Sequence, residues 1–202
     1  DFKQVYKNKR FLGMTLALPM VSMPLMLWIA LSPVILVEEL GFSSMQYGLA
    51  QFPVLGGLIL GNIVLIKIID KLALGKSVLI GLPVMLLGTV VLIAGVIWTD
   101  YLIWCLIAGM TLISFGEGIS FSVLYRFALM SSEVSKGTVA AAVSMLLMFS
   151  FFIIIELVRI MYEQYHLWAY SVACFVLIAL WFSFPRSMLK QILKERVEQG
   201  RF

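Results

Sequence analysis

The chain has 202 residues, of which 62% are hydrophobic and 13% charged, and its mean hydropathy is +1.03. Soluble domains are apolar over roughly half their residues, so a water-soluble globule is excluded and an all-α integral membrane protein remains. The apolar runs exceed the ~18 residues that mark a membrane helix and lack the alternation of a β fold. The net charge of +4 calls for no nucleic acid once its placement along the chain is known.

Breakers stand at Gly41 to Ser44, Leu74 to Lys76, Thr99 to Asp100, Ser131 to Gly137 and Gln164 to His166. They divide the 202 residues into six spans of about 34 each, counting connections. The spans are predicted near 11 to 37, 46 to 69, 77 to 98, 101 to 129, 138 to 162 and 167 to 184, so that residues 1–184 form one bundle. The first span carries Pro19, Pro24 and Pro33 and is expected to be bent or locally unwound, either as a gate or as a kink that fits the packing. Small residues predict close helix contacts at Gly57 and Gly61, at Gly81, Gly88 and Gly95, and at Ala140, Ala141 and Ser144. Cys105 and Cys174 lie in apolar stretches with neither metal-ligand spacing nor a disulfide framework. Pro185 ends the last span. In residues 185–202, Met188, Leu189, Ile192, Leu193 and Val197 lie opposite Lys190, Lys194 and Arg201. That pattern fits a cytoplasmic amphipathic helix on the membrane surface, or a solvated tail. A chain opening at Asp1 without methionine or signal peptide is expected to be a piece of a longer protein.

Orientation follows from the cations. Lys3, Lys7, Lys9, Arg10, Lys67, Lys71, Lys76, Arg126, Lys136, Arg186, Lys190, Lys194, Arg196 and Arg201 fall on one side, leaving of the 15 only Arg159 on the other. The positive-inside rule then puts both termini in the cytoplasm. Trp98, Tyr101 and Trp104, with Tyr162, Tyr165 and Trp168, cluster at the opposite boundary as an aromatic belt.

Glu117 is the principal candidate for chemistry, because it falls near mid-depth of the fourth span between Gly116 and Gly118. A central charge there costs about 2.5–3.5 kcal/mol on insertion scales, so the side chain faces a wet cavity, pairs, or keeps its proton. Ser114 and Ser120 extend a polar stripe to either side. Two readings stand: proton or cation coupling, and a neutral, structurally hydrogen-bonded acid. Glu156, Arg159 and Glu163 form an ion ladder near the outer end of the fifth span, read as an outer gate or as a helix-end salt bridge. Ser22, Met26 and Ile29 share one face of the first span, and Ser144, Met148 and Phe151 one face of the fifth. Thioethers beside aromatic rings make a surface that adapts to varied apolar ligands, although ordinary packing places the same residues there. Catalytic constellations are lacking. The single histidine, His166, lies at a boundary, and Asp70 and Asp100 are both in loops. No metal or other cofactor is called for.

These segments in this order, with both ends inside, resemble the C-terminal half of a twelve-span major facilitator superfamily transporter, most closely the MdfA-type multidrug/proton antiporters. The stretches that carry the likeness are FKQVYKNKRF at the start, WIALSPVI in the first span, YGLAQFPVLGGLILGN in the second and SKGTVAAAVSML entering the fifth. The resemblance implies a bacterial inner-membrane protein that exports small lipophilic drugs, cationic ones among them, by alternating access in exchange for protons. It implies that Leu25, Met26 and Ile29, with Ser144, Met148 and Phe151, line the drug cavity, and that an N-terminal six-helix half completes it, met by the small faces of the second and fifth spans. The loop KIIDKLALGKS is similar to the family's cytoplasmic motif between spans two and three, which makes Asp70 a latch candidate. Its spacing departs from that motif, with Ile66 where the family has glycine. The acids of the first six spans are not in this chain, and Glu117 stands where the family pattern is nonpolar. The rival reading is a non-transporting membrane scaffold or assembly factor derived from a transporter half.

Overall fold

The structure, a computed structural model, describes residues 6–69, 76–132 and 134–183. Asp70, its loop and the tail from 185 lie outside the described residues. All regular structure among the described residues is helical. The order is α1 (Lys9–Ser32), a π-helical continuation (Pro33–Glu39), α2 (Ser44–Ile69), α3 (Lys76–Ile97), a 3-10 turn (Thr99–Tyr101), α4 (Leu102–Leu129), α5 (Lys136–Tyr165) and α6 (Leu167–Ser183). The sequence-derived boundaries of 46–69, 77–98 and 101–129 agree with α2 to α4 within a few residues.

Five of these helical stretches are long and apolar enough to cross a bilayer, and the chain is a multi-pass membrane protein. The sixth predicted span is represented by the 17 described residues of α6. At 1.5 Å per residue these reach about 26 Å, just under a hydrocarbon core of ~30 Å.

The expected distortion of the first helix occurs at one of its three prolines. The helix stays α-helical through Pro19 and Pro24 and changes winding only from Pro33. There the Leu40 amide donates five residues back to the Ile35 carbonyl (3.1 Å) and Phe42 donates to Leu36 (2.8 Å). Rewinding to π geometry lets the chain carry on past a proline that lacks an N–H, so the helix is under-wound rather than unwound.

The first helix runs opposite to α4 and in the same direction as α5. Asn8 Nδ2 donates to the Ser131 carbonyl (3.0 Å), bringing the start of α1 beside the end of α4. Tyr162 Oη donates to Glu39 Oε2 (2.8 Å), bringing the end of the first helix beside the end of α5. Helix α4 is the centre of the bundle, packing most extensively on α3, then on α2 and α1, and only sparsely on α5.

Lipid tails are as apolar as leucine, so burial alone does not bind helices to one another in a membrane, and close backbone approach must contribute. The glycines allow it. On α2 the buried residues are Ala50, Val54, Gly57, Gly61 and Leu65, a single stripe. A Cβ at Gly61 would overlap the Phe115 carbonyl oxygen of α4, and one at Gly118 would lie 2.5 Å from the Leu58 oxygen of α2. On α3, Gly88 meets Gly109 of α4 in the same manner, a Cβ at Gly88 coming within 2.7 Å of the Gly109 oxygen. The expectation that the small face of the second span meets another half is therefore corrected: Gly57 and Gly61 are covered by α4 within this chain.

A polar network adds direction to the α1–α2 contact. Buried Trp28 donates its Nε1–H to Gln51 Oε1 (2.8 Å), Gln51 Nε2 donates to Ser32 Oγ (3.3 Å), and that oxygen lies 3.2 Å from Tyr47 Oη. In a low-dielectric interior such bonds are selective, because each unmade one leaves a desolvated group.

Two outcomes are expected in thermal unfolding of the detergent-solubilised protein. Gly118→Ala forces α4 off the α2 backbone and lowers stability by about 1–3 kcal/mol. Gly56→Ala, where a Cβ meets nothing within 4 Å, leaves the transition unchanged or raises it slightly, since alanine is the better helix former by about 1 kcal/mol.

Candidate functional site

The glycines flanking Glu117 fix where its carboxyl goes. Gly116 brings α4 against Gly81 and Met85 of α3, and Gly118 brings it against Leu58, Gly61 and Asn62 of α2. With α4 held on those two sides and sparsely contacted by α5, space remains on the α5 side. It forms a cavity of about 330 Å³ bounded by α1, α2, α4 and α5. That volume lies at the lower end of the ~300–1,000 Å³ typical of small-molecule sites.

Glu117 is 5% exposed and is one of the residues lining the cavity. Its Oε2 has no hydrogen-bond partner among the described residues. The remaining wall is mostly apolar: Leu25 and Met26 from α1, Phe121 from α4, and Leu147, Met148 and Phe151 from α5. Polar atoms are supplied by Ser22, Asn62 and Ser122.

The two stripes read from the sequence are thus brought together in part. Leu25, Met26, Met148 and Phe151 face one another across the cavity with Glu117. Ile29, 52% exposed, and Ser144, also exposed, are not among its lining residues. The serine stripe divides as well: Ser114 and Ser120 are fully buried but do not line the cavity, and Ser120 Oγ is directed at Gly81 of α3. Residues three apart on a helix diverge by about 60° around its axis, which is enough here to send neighbours to different helices.

Asn62, Phe121, Ser122, Leu58 and Leu147 were not singled out by pattern. Asn62 was detectable as the one amide in the apolar run LILGNIVLI, and Phe121 as the residue one turn beyond Glu117. Ser122 gave no signal.

Arg159 stands between two acids of α5, donating to both oxygens of Glu156 (2.7 and 3.0 Å) and to Glu163 (2.6 Å). All three side chains are largely exposed, and the ladder is remote from the cavity lining. A second cluster at the same end was not anticipated. Glu39, at the close of the π-helical segment, accepts from Tyr162 and lies 3.3 Å from His166 Nδ1. His166 takes a positive φ of 45° as α5 turns into α6. Among the described residues no three of His, Cys, Asp and Glu converge on a common point.

Comparison with known proteins supports the likeness seen in the sequence. Over 98% of its length the chain is 73% identical to the chloramphenicol resistance protein CraA of Acinetobacter baumannii, of which it covers 48%. It is 38% identical, over 80% of its length, to the multidrug transporter MdfA of Yersinia pestis, covering 40% of that protein. With MdfA of Edwardsiella piscicida the identity is 40% over 77% of the chain and 38% of the relative. The chain spans about half the length of the curated relatives it matches. The resemblance to MdfA-type transporters holds over most of the chain, and no protein-family model matches it.

The Glu39 cluster joins the first helix to the fifth at one end of the bundle. Tyr162→Phe, which deletes the hydroxyl but keeps the buried ring, is expected to lower stability by about 1 kcal/mol. Thermal unfolding in detergent checks this.

Proposed function

We propose that the full protein containing this chain is a proton-coupled multidrug efflux antiporter and that this chain is its C-terminal six-helix half. The observation that carries the reading is a buried carboxyl, Glu117, in the wall of an apolar cavity, in a chain 73% identical to a chloramphenicol resistance protein. A cavity lined by thioethers and aromatic rings accommodates varied lipophilic shapes, since methionine has three rotatable bonds and a polarisable sulfur. The acid then gives such a site a means of exchanging ligand for proton.

In this mechanism drugs bind between the two halves, and alternating access is a rocking of one half on the other about a central site. The sparsely buried faces of α2 and α5 meet the N-terminal half and lipid. While Glu117 is ionised, its charge in a low-dielectric wall favours a ligand able to neutralise or solvate it. When it takes a proton, that stabilisation is withdrawn and the ligand leaves outward. The cation-rich ends of the helices lie on the cytoplasmic side of the inner membrane, with both termini inside. The Asn8–Ser131 contact then marks the inner end and Glu39–Tyr162 the outer. At that outer end Arg159, held between Glu156 and Glu163, would gate by exchanging one of these partners for an acid of the opposing half, while Asp70 would latch the cytoplasmic loop. Leu25, Met26, Met148 and Phe151 contact the drug within the cavity described, and Ile29 and Ser144 from the side facing the other half.

Transport by the full-length protein in everted membrane vesicles tests the coupling. Glu117→Gln, matched for expression and monodispersity, is expected to reduce proton-driven drug efflux by about tenfold or more and to flatten its pH dependence. An unchanged pH dependence would remove Glu117 from the mechanism.

A further inference from the structure

The polar atoms of the cavity differ in what they have left to offer, and backbone chemistry decides it. A peptide carbonyl oxygen can only accept. Ser22 Oγ lies 2.9 Å from the Leu18 carbonyl oxygen, so its hydroxyl proton is committed to that bond and the oxygen can only accept from elsewhere. Asn62 is 2.9 Å from the Leu58 carbonyl oxygen. That neighbour also fixes which way the amide is turned: the NH₂ group points back along α2 and the amide oxygen forward, with one N–H remaining. Glu117, when ionised, is an acceptor at both oxygens, and its Oε2 is unpartnered among the described residues. Donors left in the wall are the second N–H of Asn62 and the hydroxyl of Ser122. Acceptors are in excess, and the strongest of them is a carboxylate in an apolar enclosure.

Resting on the reading of this cavity as the drug site, we propose that it selects lipophilic ligands by a hydrogen-bond donor, an O–H or N–H group, received by the Glu117 carboxylate and the Asn62 amide oxygen. The aromatic or aliphatic body of the ligand lies against Met26, Phe121, Met148 and Phe151, and the donor faces α2 and α4. Close packing of Gly118 on the backbone of Leu58 and Asn62 brings α4 and α2 together at this level, and Glu117 and Asn62 both line the cavity. A ligand that offers only acceptors leaves the carboxylate without a donor and is received only once Glu117 has taken a proton. Positive charge on the ligand is not required. A primary ammonium qualifies because it carries N–H groups, and a neutral alcohol qualifies for the same reason, whereas a quaternary ammonium has charge and no donor. Protonation turns Glu117 itself into a donor able to use the same acceptors, so that proton and ligand compete for common oxygens rather than through charge alone.

Four naphthalene probes of nearly equal size separate donor from charge: 2-naphthalenemethanol, its methyl ether, 2-naphthylmethylammonium and its N-trimethyl form. Binding to the purified full-length protein in detergent, followed by naphthalene fluorescence at a pH where the wild type transports, is expected to favour the alcohol over the ether. The primary ammonium is expected to exceed the quaternary one, each preference being about fivefold. Asn62→Leu, which removes the acceptor oxygen at that position, should reduce both preferences. If Asn62→Leu does not fold, Glu117→Gln in the same assay should weaken the alcohol preference, because the carboxylate acceptor is replaced by an amide that also offers a donor to the ether. Equal binding of alcohol and ether, or a preference that follows charge and ignores methylation, overturns the donor rule while leaving a ligand site in place. Binding of none of the four overturns the reading of the cavity as a ligand site, and the donor rule with it.

Discussion

Contact between helix backbones across glycine is the constraint from which the rest of this bundle follows. Between helices in a bilayer, attraction rests on packing and hydrogen bonds rather than on expulsion of water. At Gly61, Gly88, Gly109 and Gly118 the neighbouring helices come so close that a methyl group would meet carbonyl oxygens or side chains. Because these residues face α2 and α3, α4 is drawn to one side of the bundle and stands off from α5. The gap between α4 and α5 is the cavity. Gly116 and Gly118, which flank Glu117 and pack on α3 and α2, set the rotation of α4 around the one acid in the lining.

That arrangement separates a rigid part of the molecule from an open part. Helix α1 is held to α2 by the Trp28–Gln51–Ser32 network and stays α-helical through two prolines. Helix α5 has buried residues near each end, Val139 to Leu147 and then Val158 and Tyr162, with half-buried or exposed positions between. Met148 and Phe151, which line the cavity, fall in that interval. Thioethers and rings in that interval can change rotamer without disturbing the glycine contacts of α4.

Electrostatics divides the polar groups in the same way. At one end of the bundle Glu39, Glu156, Arg159 and Glu163 are paired and reach solvent or headgroups. At mid-depth Glu117 has neither a cation nor a second acid in the cavity lining. The acid at mid-depth therefore stands apart from the paired groups at the end of the bundle.

Hydropathy and breakers were sufficient to place the helices. Runs such as α3, apolar on every side, have no stable form in lipid other than a helix, because each backbone polar group must be satisfied within its own segment. Glu117 was legible for a related reason: an acid at mid-span is conspicuous against its surroundings. Which way each residue points was not legible. Periodicity put Ile29 with Met26 and Ser144 with Met148, yet the first of each pair is outside the cavity lining. It put Ser114 and Ser120 with Glu117, yet those serines are enclosed elsewhere. In water the apolar face of a helix is marked by its polar opposite, but a membrane helix is apolar all round and its sequence carries little record of which side meets a neighbour. Composition therefore decided that the chain crosses the bilayer and where it does so. Only the packing of α4 against its neighbours decided that Asn62, Glu117, Met26 and Phe151 share one cavity, since that meeting depends on helix rotations set by glycine contacts between segments far apart in the chain.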